Sequence, residues 1–172
     1  LKADQDDLLA NSRDNLSTQD RIHKAVLALL GAETLEHFVE IVATDLAVLL
    51  DVDAVALCVE AADGKAKKLR LDGIQVLAPG TVDRVLGPER GTLLRDDTTG
   101  DAEIFDAGAG LVRSDALIRL RFGEKAPPGM IAFGTRHPGY FDPGQGTELL
   151  HFLARIIEHC LREWLDLPRQ SA

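Results

Sequence analysis

A chain of 172 residues, 45% of them apolar, carries one well-buried core plus an appendage and excludes two ordinary domains. Its net charge of -9 is spread along the length, which disfavours nucleic-acid binding. The longest apolar runs, Leu46 to Leu50 and Ala54 to Val59, fall far short of the roughly 18 residues a membrane span needs, so a cytoplasmic protein is expected, although opening on Leu1 rather than Met leaves an upstream targeting element open.

Residues 1–30 carry an apolar stripe, Leu1, Leu8, Leu9 and Leu16, continued by Ile22, Val26, Leu29 and Leu30. Its spacing is that of one helix face near a seven-residue repeat. Such a helix gains stability by burying its stripe, and a second copy is the simplest partner. Asn15 and Gln19 interrupt the stripe and either set register or mark frayed turns. The expected organisation is therefore a helical arm over 1–30, a domain over 31–167 and a tail over 168–172. Gly31 stops the arm, and Thr34 with Glu36 starts a helix to about Leu50, with Leu35, Phe38, Val39, Val42, Leu46 and Leu49 on one face.

From Asp53 the period changes. Ala54 to Val59 reads as a mostly buried strand, and the turn dipeptides Asp63-Gly64 and Asp72-Gly73 flank a second strand around Lys67 to Leu71. Ile74 to Leu77 fits a third. The basic residues Lys65, Lys67, Lys68 and Arg70 read better as guards of a solvated strand edge than as a phosphate site. A short helix is expected over Thr81 to Leu86, ended by Gly87-Pro88, and a strand over Thr92 to Arg95.

Asp96 to Gly110 reads as a loop with one or two helical turns around Ile104 and Phe105. Ser114 to Phe122 and Gly129 to Thr135 read as adjacent antiparallel strands. Asp142-Pro143-Gly144-Gln145 combines an N-cap with a capping box, opening a helix to about Leu165 that is apolar on more than one face and needs cover on two sides. The whole is an α+β fold, an antiparallel sheet of five or six strands with helices packed on it, plus the helical arm.

Leu111-Val112-Arg113-Ser114-Asp115-Ala116-Leu117-Ile118-Arg119-Leu120 resembles the penultimate strand of a bacterial GAF-like family, the four-eight-four family of domains of unknown function. Gly129 to Arg136 and Tyr140 to Leu150 resemble that family's last strand and its F-x-P-x-x-G-T-x-x-L opening of the closing helix. The likeness covers most of Ile22 to Leu165. The chain departs from the pattern at Arg119, where the family has Pro, and at Asp115, where it has a small residue. What the resemblance implies is a GAF-like fold, an N-terminal helical region and no established enzymatic activity, with no catalytic residues to carry over.

The residues themselves offer little chemistry. None of Ser12, Ser17, Ser114 or Ser171 lies between glycines at a strand-to-helix turn, and Gly144-x-Gly146 lacks the rest of a dinucleotide fingerprint. His23, His37, His137, His151 and His159 form no H-x-x-x-H pair. Asp96, Asp97, Asp101, Glu103 and Asp106 lack a Ca²⁺-loop spacing, which favours a solvated loop over a metal site. A GAF-fold methionine-sulfoxide reductase needs attacking and resolving thiols within reach. Cys58 and Cys160 instead sit in apolar patterns, where reduced, buried thiols are expected.

The expected function is that of a non-catalytic, dimeric, GAF-like sensory or regulatory module, its dimer formed by the N-terminal and C-terminal helices. A small molecule would lie between sheet and lid, lined by Leu57, Val59, Ile118, Leu120, Ile131 and Phe133. Leu86 and the 96–113 segment with Phe105 would cover it, and Arg70, Arg95, Arg113 and Arg119 are candidate anchors for an anionic group. The plainer reading makes the apolar positions core and the arginines surface. A ligand-free dimeric interaction scaffold is the alternative, and the sequence names neither ligand, cofactor nor protein partner.

Overall fold

The computed structural model describes residues 18–61, 73–123, 126–141 and 147–164. Helix α1 covers 18–30 and ends at Gly31, whose amide donates to the Leu27 and Ala28 carbonyls. The arm over 1–17, the strand expected at 67–71 and the capping box at 142–145 lie outside the described residues. The described part of the stripe is only partly covered: Ile22 and Leu29 are buried in the main core with Ala25, Val26 is half-buried, and Leu30 faces out with Leu27.

Helix α2 (Leu35–Glu40) begins as the Thr34 signal indicates, with the His37 amide donating to the Thr34 hydroxyl. It runs through a π-helical turn, Ile41–Asp45, into α3 (Leu46–Leu50). The wide turn rotates the apolar face. Ile41 and Leu50 join Phe38, Val42 and Leu46 in the core, and Leu49, expected inside, is only half-buried. Asp51, in the left-handed conformation at φ 58°, caps α3 and turns the chain into the sheet.

Strands β1 (Ala54–Glu60), β2 (Ile74–Leu77), β3 (Thr92–Arg95), β4 (Ser114–Leu120) and β5 (Gly129–Thr135) form one sheet in the order β2-β1-β5-β4-β3. Helix α4 is Thr81–Leu86, α5 is Ala102–Phe105 followed by a 3-10 turn Asp106–Leu111, and α6 is described over Glu148–Trp164. The sheet is mixed, not antiparallel throughout: β1 and β2 run parallel, with Leu57 beside Ile74. A long connection over 61–73 permits that crossover, which a tight hairpin would not. The other pairings are antiparallel.

Each face of the sheet has its own core. On one side Val55, Leu57, Val59, Leu94, Ala116, Ile118, Leu120, Ile131 and Phe133 pack with α1, α2, α3 and α6. On the other, Cys58, Leu77, Leu117, Met130 and Ala132 pack beneath α4, α5 and the 3-10 turn.

Asp53 staples the start of β1 to the end of β5. Its carboxylate accepts from the Arg136 amide at 2.8 Å and the Thr135 hydroxyl at 3.1 Å, and pairs with the Arg136 guanidinium. The Arg136 amide bond, partly opposed by burial, holds the Asp53 carboxyl below its ordinary value of 3.8. A carboxylate lowered in the folded state contributes stability that is fully present above about pH 5 and lost as pH falls through the folded value. The stability difference between the parent chain and Asp53→Asn, from urea melts, is therefore expected to be largest above pH 5 and to close in acid. A gap that stays constant down to pH 2 would rule this staple out.

The lid side of the sheet as candidate functional site

The lid side is built on a trough of small residues. Ala54, Ala56 and Cys58 alternate along β1, and they lie beside Gly134, Ala132 and Met130 of β5 in register. Small side chains there let the covering layer approach closely. A Cβ on Gly134 would meet Val112 Cγ2 at 2.6 Å and the Phe105 ring at 3.0 Å, so glycine is what admits Phe105 to this position. Ile104 and Phe105, with 1% and 7% exposure, fill the trough together with Val82, Leu86 and Val112.

The lid is fastened at its edges. Thr98 and Gly100 amides donate to the Arg113 and Val112 carbonyls, and Asp101 caps α5 by accepting from the Glu103 amide. Gly100 lies so close to the Ala109 carbonyl that a Cβ would meet its oxygen. Arg84 of α4 reaches Glu103 of α5 at 2.7 Å across the outside. Asp106, which caps α5 and opens the 3-10 turn, has φ 51° and ψ -124°, a conformation costly for any residue but glycine.

Three buried charges lock α4 and β3 to the sheet. Glu60 accepts from the Gly80 and Val82 amides at 2.7 and 2.9 Å, satisfying the open N-terminus of α4. Arg119 holds the other end, donating to the Gly87 and Arg90 carbonyls and pairing with Asp83. Asp115, with no exposed surface, takes both arms of Arg95 at 2.8 and 2.6 Å. That hydrogen-bonded pairing raises the Arg95 pKa above its ordinary value, against the effect of burial. The two departures from the family pattern, Asp115 and Arg119, are thus the charged residues of β4, each with its partner.

The residues expected to form the site are divided between the two faces. Leu86 and Phe105 are on the lid side, whereas Leu57, Val59, Ile118, Leu120, Ile131 and Phe133 fill the opposite, helix-covered core. Of the candidate anchors, Arg95 and Arg119 are engaged by Asp115 and Asp83, and Arg113 is exposed, donating to the Val112 carbonyl. Arg70 lies outside the described residues. Sequence reasoning missed the Ala54-Ala56-Cys58 and Ala132-Gly134 alternation, whose period of two was the available signal.

The thiols do not form a reactive pair. Cys58 is on the lid side, and Cys160 packs against the opposite core from α6. Burial, reinforced by the Asp101 charge, pushes the Cys58 thiol up to about 12, and burial also raises Cys160. Among the described residues no helix is long and apolar enough to cross a membrane.

The fold resembles two solved structures. One is the GAF domain of an Acinetobacter phosphoenolpyruvate-protein phosphotransferase, at 13% identity and a TM-score of 0.57, covering 89% of this chain and 97% of that one. Another is a free methionine-R-sulfoxide reductase from Neisseria meningitidis, solved with its substrate, at 16% identity and a TM-score of 0.59, covering 88% and 92%. At such identities the likeness concerns the GAF-like α+β fold alone. No curated protein matches the sequence. The sequence model described as "Protein of unknown function, DUF484" matches residues 1–166, and the chain belongs to that family.

Proposed function

We propose that this GAF-type domain is a non-catalytic regulatory module of the cytoplasm that acts as a dimer through its N-terminal and C-terminal helices. Its input is a small apolar or aromatic molecule that exchanges with Phe105 on the lid side of the sheet. The observation that carries this reading is the Gly134 trough: the missing side chain of Gly134 leaves the room that the Phe105 ring of the lid occupies. The lid is a short, strained segment whose hydrogen bonds to the neighbouring backbone lie at its two ends and whose middle is held by apolar packing, so its release does not require breaking the strand pairing. A ligand that orders a displaced lid shifts a population between two packings.

The non-catalytic part of the proposal is supported by the thiols. Reductase chemistry requires an attacking and a resolving cysteine within reach, and here the sheet separates Cys58 from Cys160. A second reading, the ligand-free scaffold, is favoured by the arginines, since Arg95 and Arg119 already hold carboxylates.

Native mass spectrometry of the protein purified from its own host separates the two. A stoichiometric small molecule, with lid amides 98–112 protected from hydrogen exchange relative to the stripped protein, supports the sensory reading. Ligand-free protein whose lid exchange is unchanged by host metabolite extract favours the scaffold and ends the ligand proposal.

A further inference from the structure

One row of residues crosses the lid side of the sheet at the place where Phe105 sits. Arg95 of β3 stands opposite Asp115 of β4, Asp115 opposite Gly134 of β5, and Gly134 opposite Ala54 of β1. The row runs from a charged end, through the glycine that admits the Phe105 ring, to a small apolar end. Asp115 takes only one edge of the Arg95 guanidinium, through Nε and Nη2. Among the described residues Nη1 makes no hydrogen bond, which leaves both of its N–H groups for a further acceptor.

The lid already brings a carboxylate and an aromatic ring to this row. The Phe105 amide donates to the Asp101 carbonyl at 2.9 Å, which sets the two residues one helical turn apart on the same side of α5. The Asp101 charge acts on both Arg95 and Cys58, the latter in the core beneath the lid. Among the described residues its carboxylate is hydrogen-bonded only within the lid, to the Glu103 amide, so ring and charge depart together when the lid lifts.

We infer that the molecule exchanging with Phe105 is a small aromatic carboxylate, its ring over Gly134 and its acid group on Nη1 of Arg95. It replaces a ring with a ring and one negative charge with another, so the charge beside the Arg95–Asp115 pair is unchanged by the exchange. A neutral arene of the same size forgoes a charge-assisted hydrogen bond, and a cationic one meets Arg95.

This inference rests on the exchange at Phe105 proposed above, and its test keeps the two apart. The probes are 3-phenylpropionate and its uncharged amide, titrated by calorimetry into the full chain and into Phe105→Ala. Both proteins are expected to bind the acid about 10-fold more tightly than the amide, the effect of one charge-assisted hydrogen bond. Asp101→Asn keeps an N-cap residue but drops the rival charge, and should tighten the acid about 3-fold while leaving the amide unmoved. Arg95→Met/Asp115→Leu should bind the two probes alike, with a thermal melt to check its fold. Equal affinities for acid and amide in the parent and Phe105→Ala end the carboxylate assignment and leave the exchange standing. A preference for the acid that survives in Arg95→Met/Asp115→Leu, or an acid indifferent to Asp101→Asn, has the same meaning. If neither probe binds while benzene stabilises Phe105→Ala, the trough accepts a ring and this inference alone falls. If benzene fails as well, the exchange falls with it.

Discussion

Phe105→Ala is expected to lower the unfolding free energy by about 3–5 kcal/mol, the range for deleting a buried aromatic ring where the surroundings cannot close in. Closure is restricted because the ring faces Gly134 and the alanines of β1 and β5, which have no side-chain length to collapse into the space. The void left behind is apolar, and a dry apolar cavity of that kind takes up benzene. Benzene should therefore raise the melting temperature of the variant and leave the parent unmoved, since only a ligand that binds the native state stabilises it. A loss below about 1 kcal/mol, or a variant indifferent to benzene, would mean that the lid settles onto the sheet without its ring. The displacement proposed for the natural ligand would then lose its basis.

Arg95→Met is the second large effect. It strands the Asp115 carboxylate, which has no exposed surface and takes both of its side-chain hydrogen bonds from Arg95. Removing one member of a buried ion pair costs about 3–5 kcal/mol, mainly because the remaining charge is left without solvent or partner. Asp115→Leu should cost less, because Arg95 is 28% exposed and regains some hydration. The double variant Arg95→Met/Asp115→Leu should recover most of the loss, as apolar replacements of buried pairs do. Urea denaturation of the four proteins forms a double-mutant cycle. Arg136→Met is the control: its side chain is 59% exposed, and pairs of that kind contribute about 1 kcal/mol or less. Equal losses for Arg95→Met and Arg136→Met would refute the buried-pair account.

Much of the fold was legible where local chemistry punctuates the chain. Thr34 opens α2 with the expected side-chain cap, Gly31 closes α1, and α4, β3 and β5 have the bounds that their Gly and Pro flanks indicate. The parallel β1 and β2 pair was not legible, because pairing across a long connection leaves no local mark.

The side of the sheet that each residue faces was illegible for a different reason. All seven residues of β4 and all seven of β5 are buried, so both strands read as continuous runs with no polar alternation to give the parity. A shift of one residue then transfers every side chain to the opposite face. That is how Ile118, Leu120, Ile131 and Phe133 came to be expected beneath the lid. The charges on β4 were the unused clue. Asp115 and Arg119 are both odd-numbered and both need polar partners, which fixes the lid side of that strand as the odd-numbered one.

Helix α1 has a consequence for how force enters the molecule. Ile22, Ala25 and Leu29 share a core with Leu153, Ile157 and Leu161 of α6 and with Phe133 of the central sheet. A rotation of α1 about its axis would disturb that shared core. The Phe105 plug sits on the opposite face of that sheet, so α1 and the lid bear on the two sides of one layer.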